Sequence, residues 1–164
     1  MATPPRGRNR GAAKAAPRHI PDPPRRVLVA TMAAPLPGEV LARVVELATP
    51  EHAKITVLGI ARVYGTSLGL PHPGLRPTQL EWDDLRGYVD RAAEVLRADG
   101  FEVRVELTRS RNAPKMIATW ARAKRFDAVV VRDPPRSRWR LVIEGDLAHE
   151  IERRCGVPVH TVGV

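Results

Sequence analysis

At 164 residues, 43% hydrophobic and 27% charged, the chain suits one globular domain with room for a proper core. Its single cysteine, Cys155, excludes an intrachain disulfide framework; no apolar run nears the ~20 residues of a membrane span and the N-terminus lacks the apolar centre of a signal peptide, so a cytoplasmic protein is expected. The formal net charge of +9 points toward polyanions, but residues 1–26 hold +6 of it and the remaining 138 residues only +3.

Residues 1–25 are rich in Pro, Ala, Gly and Arg, with hardly a large apolar side chain to offset the entropy of ordering, and are expected to form a disordered basic arm. Such an arm is either a solvated tail or an electrostatic tether for nucleic acid. No aromatic residue is interleaved in it to stack on bases.

The domain, residues 26–164, opens with Arg26–Val27–Leu28–Val29–Ala30–Thr31, a short apolar run typical of a strand covered on both faces. Pro35, Pro37 and Gly38 turn the chain. Val40, Leu41, Val44, Val45, Leu47 and Ala48 then recur at helical spacing until Pro50. Ile55 to Ile60 reads as the second strand. A loop studded with Gly and Pro follows from Val63 to Pro77, and at about 15 residues it is long enough to do more than connect.

Thr78 and Glu81 make a capping box, Leu85, Val89, Ala92 and Leu96 form the stripe of a helix, and Asp99–Gly100 ends it. Phe101, Val103, Val105 and Leu107 alternate with Glu102, Arg104 and Glu106, which predicts a third strand with one wetter face, as at a sheet edge. Asn112 is placed to cap a helix carrying Met116, Ile117, Trp120 and Ala121. Asp127 to Val131 reads as the fourth strand. A basic loop with two prolines, Arg132 to Arg140, leads to a helix that opens near Gly145–Asp146 and carries Leu147, Ile151 and Cys155. Val157 to Val162 closes the sheet. Strands separated by helices need crossover connections, so the fold class is α/β: a single three-layer, Rossmann-like domain with a five-stranded, mostly parallel sheet and helices on both faces.

Five strands, four helices, a long loop after the second strand and a glycine before the last helix resemble the universal stress protein family, over residues 26–164. In that family the first strand ends in an Ala-Thr-Asp-Gly-Ser-like segment. The fourth runs into Gly-x-x-Gly, nine residues, then Gly-Ser or Gly-Thr. Here the corresponding stretches are Ala30–Thr31–Met32–Ala33–Ala34 and Arg132–Asp133–Pro134–Pro135, then nine residues and Gly145–Asp146. The resemblance implies that members binding ATP use the carboxylate after the first strand for the nucleoside. Met32, an uncharged thioether, stands at that position. Arg132 and Pro135 replace glycines that let backbone approach phosphate, and Pro134 and Pro135 lack N–H donors. Asp146 sets a carboxylate where a hydroxyl would meet phosphate at a helix start. Only Gly145 keeps the pattern. The chain thus resembles the branch of the family with a degenerate motif, and neither ATP nor another cofactor is expected.

The candidate ligand-binding residues are Thr31, Met32, Arg132, Arg136, Arg138, Gly145 and Asp146. Arg132, Arg136, Arg138 and Arg140, read as lying near Lys124 and Arg125, would clamp a phosphate or carboxylate without backbone donors. The competing reading is a solvated loop partly neutralised by Asp133, Glu144 and Asp146. Trp139 either packs on the domain or stacks on a base or an arginine. His149 reads as a surface histidine and Cys155 as packing; no metal-binding or catalytic constellation is expected, and hence no enzyme. Val157, Val159 and Val162 place the closing strand at or near a sheet edge. The resembled family commonly dimerises through this strand, so a homodimer is expected, with a capped monomer as the alternative. The function that follows is a non-enzymatic stress-response or regulatory protein with no membrane partner. Two alternatives stand beside it: a binding module for another anionic small molecule or nucleotide through the arginine-rich loop, and a nucleic-acid-associated protein acting through the arm.

Overall fold

The computed structural model describes residues 22–63, 76–132 and 147–163. Strands and helices alternate: β1 (Arg26–Met32), α1 (Gly38–Leu47), β2 (Lys54–Arg62), α2 (Gln79–Ala98), β3 (Glu102–Ser110), α3 (Ala113–Ala123), β4 (Ala128–Arg132), α4 (Leu147–Cys155) and β5 (Val159–Val162). The sheet order is β3-β2-β1-β4-β5 with every pairing parallel. The α/β expectation therefore holds, and β3 does lie at an edge.

Two cores sit on the two faces of the sheet. Val27 and Val29 of β1 pack with Val40, Val44, Val89 and Leu96 from α1 and α2. Leu28 and Ala30, one residue out of step, pack with Ile117, Ala121 and Ile151 from α3 and α4. A central parallel strand buried on both faces must be apolar at every position, which is why β1 and β4 read as unbroken apolar runs. β2 packs so closely on α2 and the side chains of β3 that a Cβ on Gly59 would stand 2.8 Å from Leu107 Cδ2 of β3 and 2.9 Å from Val89 Cγ1 of α2. Only glycine fits there.

Helix ends follow the local chemistry. Glu81 N–H donates to Thr78 Oγ1 at 3.2 Å, while Thr78 N–H donates to Glu81 Oε2 at 2.7 Å, completing the capping box of α2. Lys115 N–H donates to Asn112 Oδ1 at 2.9 Å at the start of α3. α2 and α3 end in the same motif. Phe101 N–H reaches back to Leu96 O at 3.1 Å, and Phe126 N–H to Ala121 O at 2.9 Å. The pivot residue is left-handed in both: Gly100 at φ +91° and Arg125 at φ +51°.

Every strand differs from the sequence reading by a residue or two at an end, β2 for instance running from Lys54 to Arg62, and three of the shifts have a local cause. Asp127 precedes β4 rather than opening it, and its carboxylate accepts from the backbone N–H groups of Arg25 and Arg26 at 3.0 and 2.9 Å, tying down the start of β1. β3 continues to Ser110, because Thr108, Arg109 and Ser110 pair with Ile60, Ala61 and Arg62 beyond the last apolar alternation. β5 begins at Val159 rather than Val157. Pro158 has no N–H to give, although its carbonyl accepts from Val129 at 3.0 Å.

Candidate functional site

The strand order reverses at β1. α1 leaves β1 toward one face of the sheet and α4 follows β4 on the other. In open α/β sheets that divergence leaves a crevice outside the carboxyl ends of the two strands, and ligands bind there. Thr31 and Met32 stand at the end of β1 and Arg132 at the end of β4.

These three residues are not equivalent. The β1–β4 ladder pairs Ala30 with Val131, so Thr31 and Arg132 follow next as neighbours. Alternation puts both on the α1 side of the sheet. Met32 points the other way and packs against the α3/α4 core. Thr31 is only 3% exposed, and its hydroxyl donates to the Ala34 carbonyl, so it shapes the turn rather than facing outward. Ala33 between them is left-handed, with φ +50°. Arg132 is half-buried, and its Nε is buried with no hydrogen-bond partner among the described residues. A guanidinium left this way is short of an acceptor that an anion would supply.

Lys124 and Arg125 do not belong to this cluster. They precede β4, and Arg132 ends it, so the length of a five-residue strand, roughly 16 Å, separates the two ends. Lys124 instead lies 3.9 Å from the centre of the Trp120 ring and 3.3 Å from Glu106 Oε1. Arg136, Arg138, Trp139, Arg140, Gly145 and Asp146 lie outside the described residues, as do the arm at residues 1–21 and most of the Val63–Pro77 loop.

The residues assigned to an edge also divide between faces. Val157 and Val159 pack on the α3/α4 core and Val162 on the α1/α2 core, all three partly buried, with β5 at the sheet edge. His160, facing the same side as Val162, was not singled out in the sequence. Burial lowers its pKa from the usual 6.5, Arg43 lowers it further, and Glu152 opposes them. His149 is exposed, and the Cys155 thiol, half-buried against the α3/α4 core, lies 3.8 Å from the Val157 carbonyl. No group of three His, Cys, Asp or Glu among the described residues could hold a metal ion. No described helix is long and apolar enough to cross a membrane.

The model of the universal stress protein family matches residues 24–163. The chain belongs to the universal stress protein family. Solved structures agree on the fold. A universal stress protein in complex with cAMP superposes with a TM-score of 0.59 at 17% identity, covering 85% of this chain and 97% of that one. The universal stress protein from Archaeoglobus fulgidus in complex with dAMP gives 0.59 at 18%, covering 84% and 96%. A family member from Arabidopsis thaliana with AMP bound gives 0.51 at 13%, covering 85% and 92%. None of the curated proteins matches this sequence.

Family membership gives Ala33 its context. It occupies the glycine position of the Ala-Thr-Asp-Gly-Ser-like segment and keeps the backbone conformation that glycine adopts freely. The sequence reading weighed Thr31 and Met32 in this segment and did not single out Ala33.

Proposed function

We propose that this universal stress protein is a non-enzymatic, cytoplasmic regulatory protein whose switch-point crevice does not hold ATP. The observation that carries this is Met32: its side chain turns away from Arg132 and packs into the α3/α4 core, so the end of β1 offers a nucleoside no carboxylate. Thr31 is engaged with Ala34, and the two prolines after Arg132 lack the backbone donors a triphosphate would use. A thioether, an engaged hydroxyl and a guanidinium are none of them groups that take up a proton at neutral pH, which fits a binding role better than a catalytic one. The β5 edge is the surface on which a homodimer would form, testable by light scattering of the full chain at two concentrations; a monomer mass at both would overturn that part.

A second reading is favoured by Arg132 itself. Its unpartnered Nε supports capture of a small anion other than ATP, with Arg136 and Arg138 as further donors. Thermal-shift titration with ATP, AMP, cyclic AMP and polyphosphate separates the two. ATP should leave the midpoint unmoved, since a ligand at 100 times its Kd stabilises by about 2.7 kcal/mol and would be plain to see. A rise with ATP sinks the main reading. A rise with polyphosphate that Arg132→Gln abolishes supports the second.

A further inference from the structure

A groove of about 410 Å³ runs between α1 and α2, from Pro35 and Leu36 on the turn after β1 to Asp99 at the end of α2, lined by Leu41, Val45, Tyr88 and Val95, with Arg91 and Asp99 as its charged members. Val45 and Val95 are 41% and 44% exposed, the most open large apolar residues of the two helices after Leu80. The rim is acidic. Glu39 and Glu46 lie one helical turn from Ala42, Asp84 lies one turn from Tyr88, and Asp99 closes the lower end. From Gln79 to Asp99 there are six carboxylates and three arginines, in a protein whose net charge is +9. Arg43 is paired with Glu46 at 2.9 Å and offsets that carboxylate, which leaves Glu39, Asp84 and Asp99 against Arg91.

We propose that this groove is the docking site of the chain's own first 21 residues, within the same molecule. Three observations single out that occupant. Residues 1–21 carry five basic side chains and no acidic one, the complement of the rim. Their apolar content is Met1, Ile20, Pro4, Pro5, Pro17, Pro21 and alanines, mostly small side chains that suit a shallow apolar groove with an aromatic wall. The geometry also permits it. Arg25 enters β1 at the end of the sheet where every strand starts, held by Lys54 N–H to Arg25 O at 2.8 Å and by Asp127. α2 finishes at that same end, at Asp99. Twenty-one residues extend to roughly 65 Å, whereas the ten-residue α1 is about 15 Å long, so reach is ample. The inference stands independently of what the crevice binds.

A nitroxide on the arm of the full chain tests it. Cys155→Ser removes the one native thiol and Ala13→Cys places the label; Cys155→Ala serves if the serine variant folds poorly. Methyl signals of Leu41, Val45 and Val95 should lose several-fold more intensity than those of Ile117 and Ile151 on the opposite face. The loss should be independent of protein concentration, should weaken near 1 M salt, where charges are screened beyond about 3 Å, and should fall away with Val45→Asn and Val95→Asn together. Equal loss on both faces overturns the proposal. Loss at Val45 and Val95 that grows with protein concentration also overturns it, and assigns the groove to a second copy.

Discussion

Ala33 and Arg125 each hold a left-handed backbone that disfavours a side chain by roughly 1–2 kcal/mol per residue. Glycine would relieve that strain while adding about 0.4–1 kcal/mol of unfolded-state freedom. Ala33→Gly and Arg125→Gly should therefore each raise stability by about 0.5–1 kcal/mol in urea unfolding; a loss at either site would mean that its side chain makes contacts outweighing the strain. Gly100, in the same motif as Arg125, gives the reverse test: Gly100→Ala should destabilise.

His160 yields the pH dependence. Its pKa is lower in the folded protein than the ordinary 6.5, so the unfolded chain binds the proton more tightly. The stability this histidine supports is present above about pH 6.5 and is lost as pH falls through the lower folded value. His160→Asn should flatten that part of the stability profile between pH 7.5 and 5, read as thermal midpoints; an unchanged slope would place the titration elsewhere.

At the scale of elements, β2 fits closely under α2 and against β3 at Gly59. The space around Gly59 is closed by the side chains of Leu107, Val89 and Leu85, so a methyl group there must displace packed core. Gly59→Ala should destabilise by about 1–3 kcal/mol. The capping box of α2 is exposed and separate from that contact, and Thr78→Ala should remove about 1 kcal/mol. Because the two sites share no partner, the double variant should show the sum, as denaturant midpoints would reveal. Between β2 and β3, Lys54 and Glu102 sit opposite each other in register at 2.8 Å. Their hydrogen bond lowers the Glu102 pKa, burial opposes it, and the nearby charges of Lys54 and Arg104 lower it further. That pair is exposed and contributes little.

At the scale of the whole molecule, charge is segregated. The arm is basic, α2 is acidic, and the domain itself is only mildly positive. If the arm serves nucleic acid, a short RNA should bind the full chain with an affinity that falls steeply with salt, and a chain beginning at Asp22 should lose that binding. Retained affinity after truncation would end that alternative. An RNA that does bind would compete with the acidic groove for the same arginines, so it should also relieve the broadening at Val45 and Val95.

Element types, their order, the parallel sheet and both side-chain caps were legible from the residues alone. Each rests on local chemistry: an unbroken apolar run, a 3.6-residue stripe, a threonine three residues before a glutamate. Even the edge position of β3 was visible in its alternation. What Asp127 binds was not, since its partners at Arg25 and Arg26 are about a hundred residues away and no local pattern encodes them. Nor was the separation of Thr31 from Met32, the distance of Lys124 from Arg132, or the groove between α1 and α2. Those depend on which face of a shared sheet each residue meets, and only the packed sheet decides that.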